Sequence, residues 1–200
     1  MRALVTGGNG FLGSHLVRRL EEAGHAVRVL AQPGTSLDNL GGTSAEVVRG
    51  DVLDATSIAD AVRGIETVFH LAALVNDWGP REAFLKVNAG GTRTVCDAAT
   101  KAGVRRFVLV SSIAVHRFSG IVNGNEDLPR DNVELGYGAS KILAEDVVTA
   151  AHASGTIEGV IVRPGLFPFG PLDRTSFLPL VQHLGAYAHV AGGRATLCTA

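Results

Sequence analysis

The chain has 200 residues, 46% hydrophobic and 18% charged, with a formal net charge of −1. That composition describes a globular core rather than a disordered chain. It carries no clustered Lys and Arg of the kind that neutralises phosphates, which excludes nucleic acid as the expected partner.

Other classes fall away as quickly. No stretch supplies the ~20 apolar residues of a membrane helix, and the brief apolar run before Gly7 is too short for a signal peptide, so a cytoplasmic protein without a membrane partner is expected. Cys96 and Cys198 lie far apart without C-x-x-C spacing and read as small buried thiols in a reducing compartment. The histidines are scattered and form no ligand-spaced set, so no metal is expected.

In chain order, Ala3-Leu4-Val5 reads as a strand and Phe11 to Ala23 as a helix, with Leu12, Leu16 and Leu20 on one face. Gly24 stops it, because glycine takes a left-handed cap cheaply. Ala26 to Leu30 and Glu46-Val47-Val48 are the next strands. Asp54 is an N-cap for a helix through Val62. Thr67 to Leu71 is a fourth strand, and Arg81 to Ala102 the longest helix, closed by Gly103. Arg106 to Val110 is a fifth strand, Tyr137 to Ala153 a helix, and Val160-Ile161-Val162 a sixth strand stopped by Pro164. Apolar strands separated by helices predict an α/β fold, a doubly wound parallel sheet covered on both faces. The polar, Gly- and Asn-rich stretch from Ser119 to Gly136 reads as a functional loop.

Between the first strand and helix lies Thr6-Gly7-Gly8-Asn9-Gly10-Phe11-Leu12-Gly13. Its G-x-x-G-x-x-G spacing is a variant of the dinucleotide-binding turn: Gly7 for the tight turn, Gly10 for approach of a pyrophosphate, Gly13 for close packing of helix on sheet. The helix N-terminus offers free amides and a positive dipole end to phosphates. The acidic residue expected after the second strand is missing. Gln32 stands there, able to bond a ribose hydroxyl but without charge for a 2′-phosphate, and Arg28 is expected to face away. NAD and NADP both remain open. After the third strand, Asp51 is placed to accept from an adenine amine. His70-Leu71-Ala72-Ala73 ends the fourth strand with small residues that let backbone lie close to a cofactor; His70 itself reads as structural.

Tyr137 and Lys141 stand at i and i+4 at the head of a helix, on one face. A phenol is a poor acid or base near neutrality, with an ordinary pKa of about 10, and a neighbouring ammonium should lower it. Ser111 and Ser112 follow the fifth strand at the end where open α/β sheets place ligands. A serine there can hold a substrate oxygen beside the phenol. Asn88, on the long helix, is placed either to anchor backbone or water near the lysine or to pack the helix.

In order, TGGNGFLG, GDVLD, HLAA, VNAGGT, VLVSS, YGASK and VRPG run through almost the whole chain. With them the sequence resembles the extended short-chain dehydrogenase/reductases, the NAD-dependent epimerase/dehydratase family. The resemblance implies Ser112, Tyr137 and Lys141 as the catalytic set, with Ser112 preferred over Ser111 because its interval to Tyr137 is similar to the family's. It places Thr6, Gly7, Asn9, Gly10, Phe11, Leu12, Gly13, Gln32, Asp51, Val52, Leu71, Ala72, Ala73, Asn88, Ser111, Tyr137, Lys141, Pro164, Gly165 and Leu166 around NAD or NADP. It also implies a Rossmann domain over residues 1–165, only the start of a substrate lobe over 166–200 in a C-terminally truncated chain, and pairing of two copies through the long helices. The expected activity is hydride transfer between nicotinamide and a secondary alcohol or ketone, of sugar-nucleotide, steroid-like or dihydroflavonol-like kind. A sugar-nucleotide epimerase using the same site and a non-catalytic dinucleotide-binding module are the alternatives. Family dehydratases resemble one another in an Asp-Glu pair beside the serine; here Ile113-Ala114 follows Ser112. Substrate choice is expected from Val115 to Gly136, from the neighbourhood of Asp77 and Trp78, and from the missing lobe.

Overall fold

A computed structural model describes residues 1–76, 79–117, 123–165 and 171–172. Asp77, Trp78, Leu166, Cys198 and nearly all of the expected second lobe lie outside the described residues. The strands are β1 (Arg2–Thr6), β2 (Ala26–Ala31), β3 (Glu46–Arg49), β4 (Thr67–His70), β5 (Arg106–Val110) and β6 (Glu158–Val162). They form one six-stranded sheet in the order β3-β2-β1-β4-β5-β6, and every neighbouring pair is parallel. The order reverses between β1 and β4, so a crevice opens at the carboxyl ends of those two strands.

Alternation along the strands feeds two cores. Leu4 and Leu30 point to one face, where Ile58, Val95, Phe107, Ala144 and Val148 bury against them. Ala3, Val5, Val27 and Val29 point to the other, under Val17 and Leu20. Helix α1 (Phe11–Glu22) covers this second face. Its buried stripe is Gly13, Ser14, Val17 and Leu20, whereas Leu12 is 37% exposed; the expected Leu12–Leu16–Leu20 face is therefore rotated. The reason is Gly13, which lacks a side chain and lets the helix lie against the turn before it.

Helix α2 (Ala55–Ala61) starts where expected, with Asp54 Oδ1 accepting from the Thr56 amide at 2.9 Å. The long helix is interrupted: α3 (Arg81–Phe84) passes into a π-helical segment (Leu85–Gly90) and then α4 (Gly91–Lys101). Such wide turns recur at functional sites, and this one carries Asn88. Helix α5 (Gly136–Ala153) completes the layer. Cys96 is a buried free thiol. Among the described residues, no helix is long and apolar enough to cross a membrane.

Candidate active site at the carboxyl ends of the strands

The glycine turn and the end of β4 meet at the switch point. Gly7 has φ +69°, and a Cβ there would lie 2.9 Å from the Ala72 amide nitrogen, so only glycine lets these segments close. Behind the contact sits His70, 1% exposed. Thr92 Oγ1 donates its single proton to the Asn88 carbonyl at 2.6 Å. The 3.1 Å contact between His70 Nε2 and Thr92 Oγ1 must then be donated by the imidazole. His70 Nδ1 is left to accept from Thr6 Oγ1 at 2.7 Å, while Thr6 Oγ1 accepts from the Ala72 amide at 3.2 Å. Burial first, and the charge of Lys141 second, depress the imidazole pKa to about 3. His70 is a neutral, fully bonded brace, in keeping with its reading as structural.

Asn88 braces the same region from the other side. Its Oδ1 accepts from the Leu74 amide at 2.7 Å, and its Nδ2 donates to the Leu74 carbonyl at 3.1 Å and to Ser140 Oγ at 2.9 Å. Ser140 donates in turn to the Tyr137 carbonyl at 2.7 Å. Asn88 thus anchors backbone, one of its two expected roles, and links the segment after β4 to the head of α5.

Ser112, Tyr137 and Lys141 come together as expected. Ser112 follows β5 and caps a short 3-10 turn by accepting from the Ala114 amide at 3.1 Å. Its hydroxyl faces the Tyr137 phenol closely enough to pull the phenol's pKa down. Lys141 Nζ lies 5.8 Å from the centre of the Tyr137 ring, and Phe84 packs edge-on against that ring. Helix α5 can begin this close to the 3-10 turn because Gly138 has no side chain; a Cβ would lie 2.7 Å from the Ala114 carbonyl oxygen.

The phenol departs from its expected acidity. Burial pushes the Tyr137 pKa above its ordinary value, and the Ser112 hydroxyl offsets this only in part. The lysine takes a similar desolvation penalty: burial lowers Lys141 to about 8, against an upward pull from Glu145. Spacing shows the proximity of phenol and ammonium but not their desolvation.

Ser111 is turned elsewhere. Its hydroxyl donates to Glu145 Oε1, a carboxylate with 0% exposure held by Arg163 and Arg130, so its side chain belongs to the underside of α5. Pro164 and Gly165 do approach the serine turn, since the Pro164 carbonyl accepts from the Ile113 amide at 3.0 Å.

On the opposite wing, α1 begins at Gly10 with no side-chain cap and no acidic residue in its first turn. The amides of Phe11, Leu12 and Gly13 are therefore donors of the kind that suits a diphosphate. Gln32 and Asp51 are paired, Nε2 to Oδ2 at 3.2 Å, and Asp51 Oδ1 also accepts from the Leu53 amide. Val52 is buried beside them. Arg28 does face away, bonding Glu46 and the carbonyls of Ala61 and Arg63. Asn9 donates to Thr35 Oγ1 and the Ser36 carbonyl, and Arg49 reaches the same loop from β3. Sequence reasoning did not single out Thr35, Ser36 or Arg49; the Pro33-Gly34 turn, which folds the loop back over the strand ends, was the available signal. These donors and small residues fit a nicotinamide dinucleotide: free amides for the diphosphate, a carboxylate for adenine, and a phenol–lysine–serine set at the far end.

Comparison with known proteins agrees with this geometry. The 3 beta-hydroxysteroid dehydrogenase/Delta 5-->4-isomerase of Mycobacterium tuberculosis is 36% identical over 204 aligned residues, covering 96% of this chain and 54% of that protein. The bovine (Bos taurus) sterol-4-alpha-carboxylate 3-dehydrogenase, decarboxylating, is 37% identical, covering 86% of this chain and 48% of the relative. The crystal structure of dTDP-glucose 4,6-dehydratase from Streptomyces venezuelae with NAD and TYD bound superposes with a TM-score of 0.85 at 31% identity, covering 92% of this chain and 62% of that one. The chain spans about half the length of the curated relatives it matches. The family model for the NAD dependent epimerase/dehydratase family matches residues 3–186, and the chain belongs to that family.

Proposed function

We propose that this chain carries the cofactor-binding part and the proton-transfer set of an NAD(P)-dependent oxidoreductase acting on a secondary alcohol or ketone. The observation that carries the reading is Lys141, buried one turn below Tyr137 with its Nζ 5.8 Å from the centre of the phenol ring. The diphosphate would lie over the amides of Phe11 to Gly13, adenine beside Asp51 and Val52, and the nicotinamide end between Ala72-Ala73 and Pro164-Gly165. The nicotinamide, when bound, supplies or accepts the hydride.

The chain's own residues handle the proton. Ser112 Oγ orients the substrate oxygen, and Tyr137 Oη gives that oxygen a proton as a ketone becomes an alcohol, or removes it in reverse. A phenol raised by burial is protonated at neutral pH, which suits the reductive direction. Lys141, held on the Val110 carbonyl at 2.9 Å, favours the phenolate left behind while it carries its charge, and stands ready to hold the nicotinamide ribose.

An epimerase would use the same groups and return the hydride to its substrate; loss of nicotinamide absorbance in step with product separates the two. A dehydratase is disfavoured because Ile113-Ala114 follows Ser112. The deciding experiment is Tyr137→Phe with a carbonyl substrate found by panel screening. Turnover is expected to fall by roughly 100-fold or more with cofactor affinity unchanged, whereas equal loss of both would overturn Tyr137's role. A chain that binds cofactor yet turns over no substrate, even when joined to a complete lobe, would be a binding module instead.

A further inference from the structure

The adenosine end of the crevice carries a positive charge that the family motifs do not account for. Strand β2 ends in buried Ala31, where no carboxylate stands to claim ribose hydroxyls. The side-chain amide of the next residue, Gln32, is taken up by Asp51. Arg49, the last residue of β3, is in register with Ala31. Its Nη1 donates to the carbonyls of Gln32 at 3.0 Å and Thr35 at 2.9 Å, and lies 3.4 Å from Thr35 Oγ1. From the other side, Asn9 of the glycine turn donates to the same Thr35 hydroxyl at 3.1 Å. A line of polar contacts thus runs Asn9–Thr35–Arg49, from the turn suited to a diphosphate to the strand end beside Asp51.

A ribose joining diphosphate to adenine has to cross that line. All the Arg49 contacts use Nη1; among the described residues Nε and Nη2 make none, and no carboxylate forms a salt bridge with the guanidinium. We propose that Arg49 reads the 2′ position of the adenosine ribose, and that the chain selects the 2′-phosphorylated nicotinamide dinucleotide. The guanidinium enters from β3 rather than from the end of β2, and offers a phosphate two unengaged donor groups and its charge. The Thr35 hydroxyl and the Asn9 amide hold the loop in shape around it. This inference rests on the cofactor reading above and adds the identity of the cofactor to it.

The test is separate titration of NADH and NADPH into the purified chain, followed by nicotinamide fluorescence and by calorimetry. NADPH is expected to bind at least ~10-fold tighter at low salt, with the margin shrinking as ionic strength rises. Arg49→Gln should weaken NADPH by roughly 10- to 100-fold and leave NADH within about twofold. Gln32→Glu, which leaves Arg49 in place but sets a carboxylate on the rim where Gln32 now bonds Asp51, should turn the preference toward NADH; it serves if Arg49→Gln does not fold. Equal affinities in the parent chain, a preference for NADH, or a parallel loss of both cofactors in Arg49→Gln would overturn the proposal and leave Arg49 a staple for the loop. Binding of neither cofactor would instead defeat the cofactor reading itself.

Discussion

Lys141 Nζ donates to the Val110 carbonyl at 2.9 Å and so ties the head of α5 to the end of β5. The lysine is 4% exposed, and burial lowers its pKa from 10.5 to about 8. An unfolded lysine keeps its proton up to pH 10.5, so the unfolded chain binds more protons between about pH 8 and 10.5, and stability rises with pH across that window. Below pH 8 the charged, buried side chain costs about 3 kcal/mol. Lys141→Met is therefore expected to stabilise the fold at pH 7 by ~1–3 kcal/mol, after allowing for the bond lost at Val110, while turnover collapses. Urea unfolding at pH 7 measures this. A variant less stable than the parent would mean that the ammonium holds the fold together rather than serving the chemistry.

Two glycines of one turn should respond oppositely to the same methyl group. A Cβ at Gly13 would lie 2.2 Å from the Gly7 carbonyl oxygen and 2.7 Å from the Gly8 Cα, both backbone. Gly13→Ala must push α1 off the sheet and should cost roughly 2–4 kcal/mol. At Gly10 a Cβ would meet only the Gly7 oxygen, at 3.2 Å, and φ −77°, ψ 178° is open to alanine. Gly10→Ala should unfold within about 1 kcal/mol of the parent yet bind dinucleotide at least ~10-fold more weakly, because the methyl would stand where the proposed cofactor site puts the diphosphate. Unchanged cofactor affinity in Gly10→Ala would remove the diphosphate from this turn.

What the sequence makes legible is what repeats locally. Runs such as Val108-Leu109-Val110 mark buried parallel strands, Asp54 and Gly24 mark helix ends, and all six strands lie where their apolar runs predict them, give or take a residue or two. The orientation of α1 is not legible, because Leu12, Leu16 and Leu20 share the helical period with the stripe that is buried; the close approach at Gly13 decides between them. The π-helical turn at Asn88 leaves no periodic trace, since it exists to bring one side chain to both Leu74 and Ser140. The raised phenol of Tyr137 is hidden for another reason: spacing reports that an ammonium is near, while the pKa is set mainly by how much water remains.

His70 should make the fold acid-sensitive. Its pKa falls from 6.5 to about 3 on burial, so from pH 6.5 downward the unfolded chain takes up a proton that the folded chain refuses, and stability is lost as pH drops toward 3. The full shift is worth about 3–5 kcal/mol. His70→Gln keeps one donor and one acceptor but does not titrate, so its stability curve between pH 6.5 and 4 should be flatter than the parent's. Parallel curves from denaturant titrations at several pH values would count against the neutral, twice-bonded imidazole.

Glu145, with 0% side-chain exposure, forms a buried ion pair with Arg163. Arg163 donates Nε to Oε1 at 2.9 Å and Nη2 to Oε2 at 2.8 Å, while Arg130 adds a contact at 3.3 Å. Burial would raise the carboxyl pKa, but the bonds from Arg163 and Ser111 and the charges of both arginines outweigh it and hold it low. The ion pair therefore stabilises above the ordinary carboxylate range and weakens as pH falls through the depressed value. Glu145→Gln leaves two guanidinium groups facing a neutral amide and should cost ~3–5 kcal/mol. Adding Arg163→Met removes one stranded charge, so the double variant should regain part of that loss rather than sum the two single effects. Arg163 also precedes Pro164, whose carbonyl is tied to Ile113 beside Ser112, so Arg163→Met alone should weaken dinucleotide binding along with the fold. Additive single and double effects in the thermodynamic cycle would show that the two side chains are not coupled, and the placement of Pro164 would then have to be ascribed to the β5–β6 ladder alone.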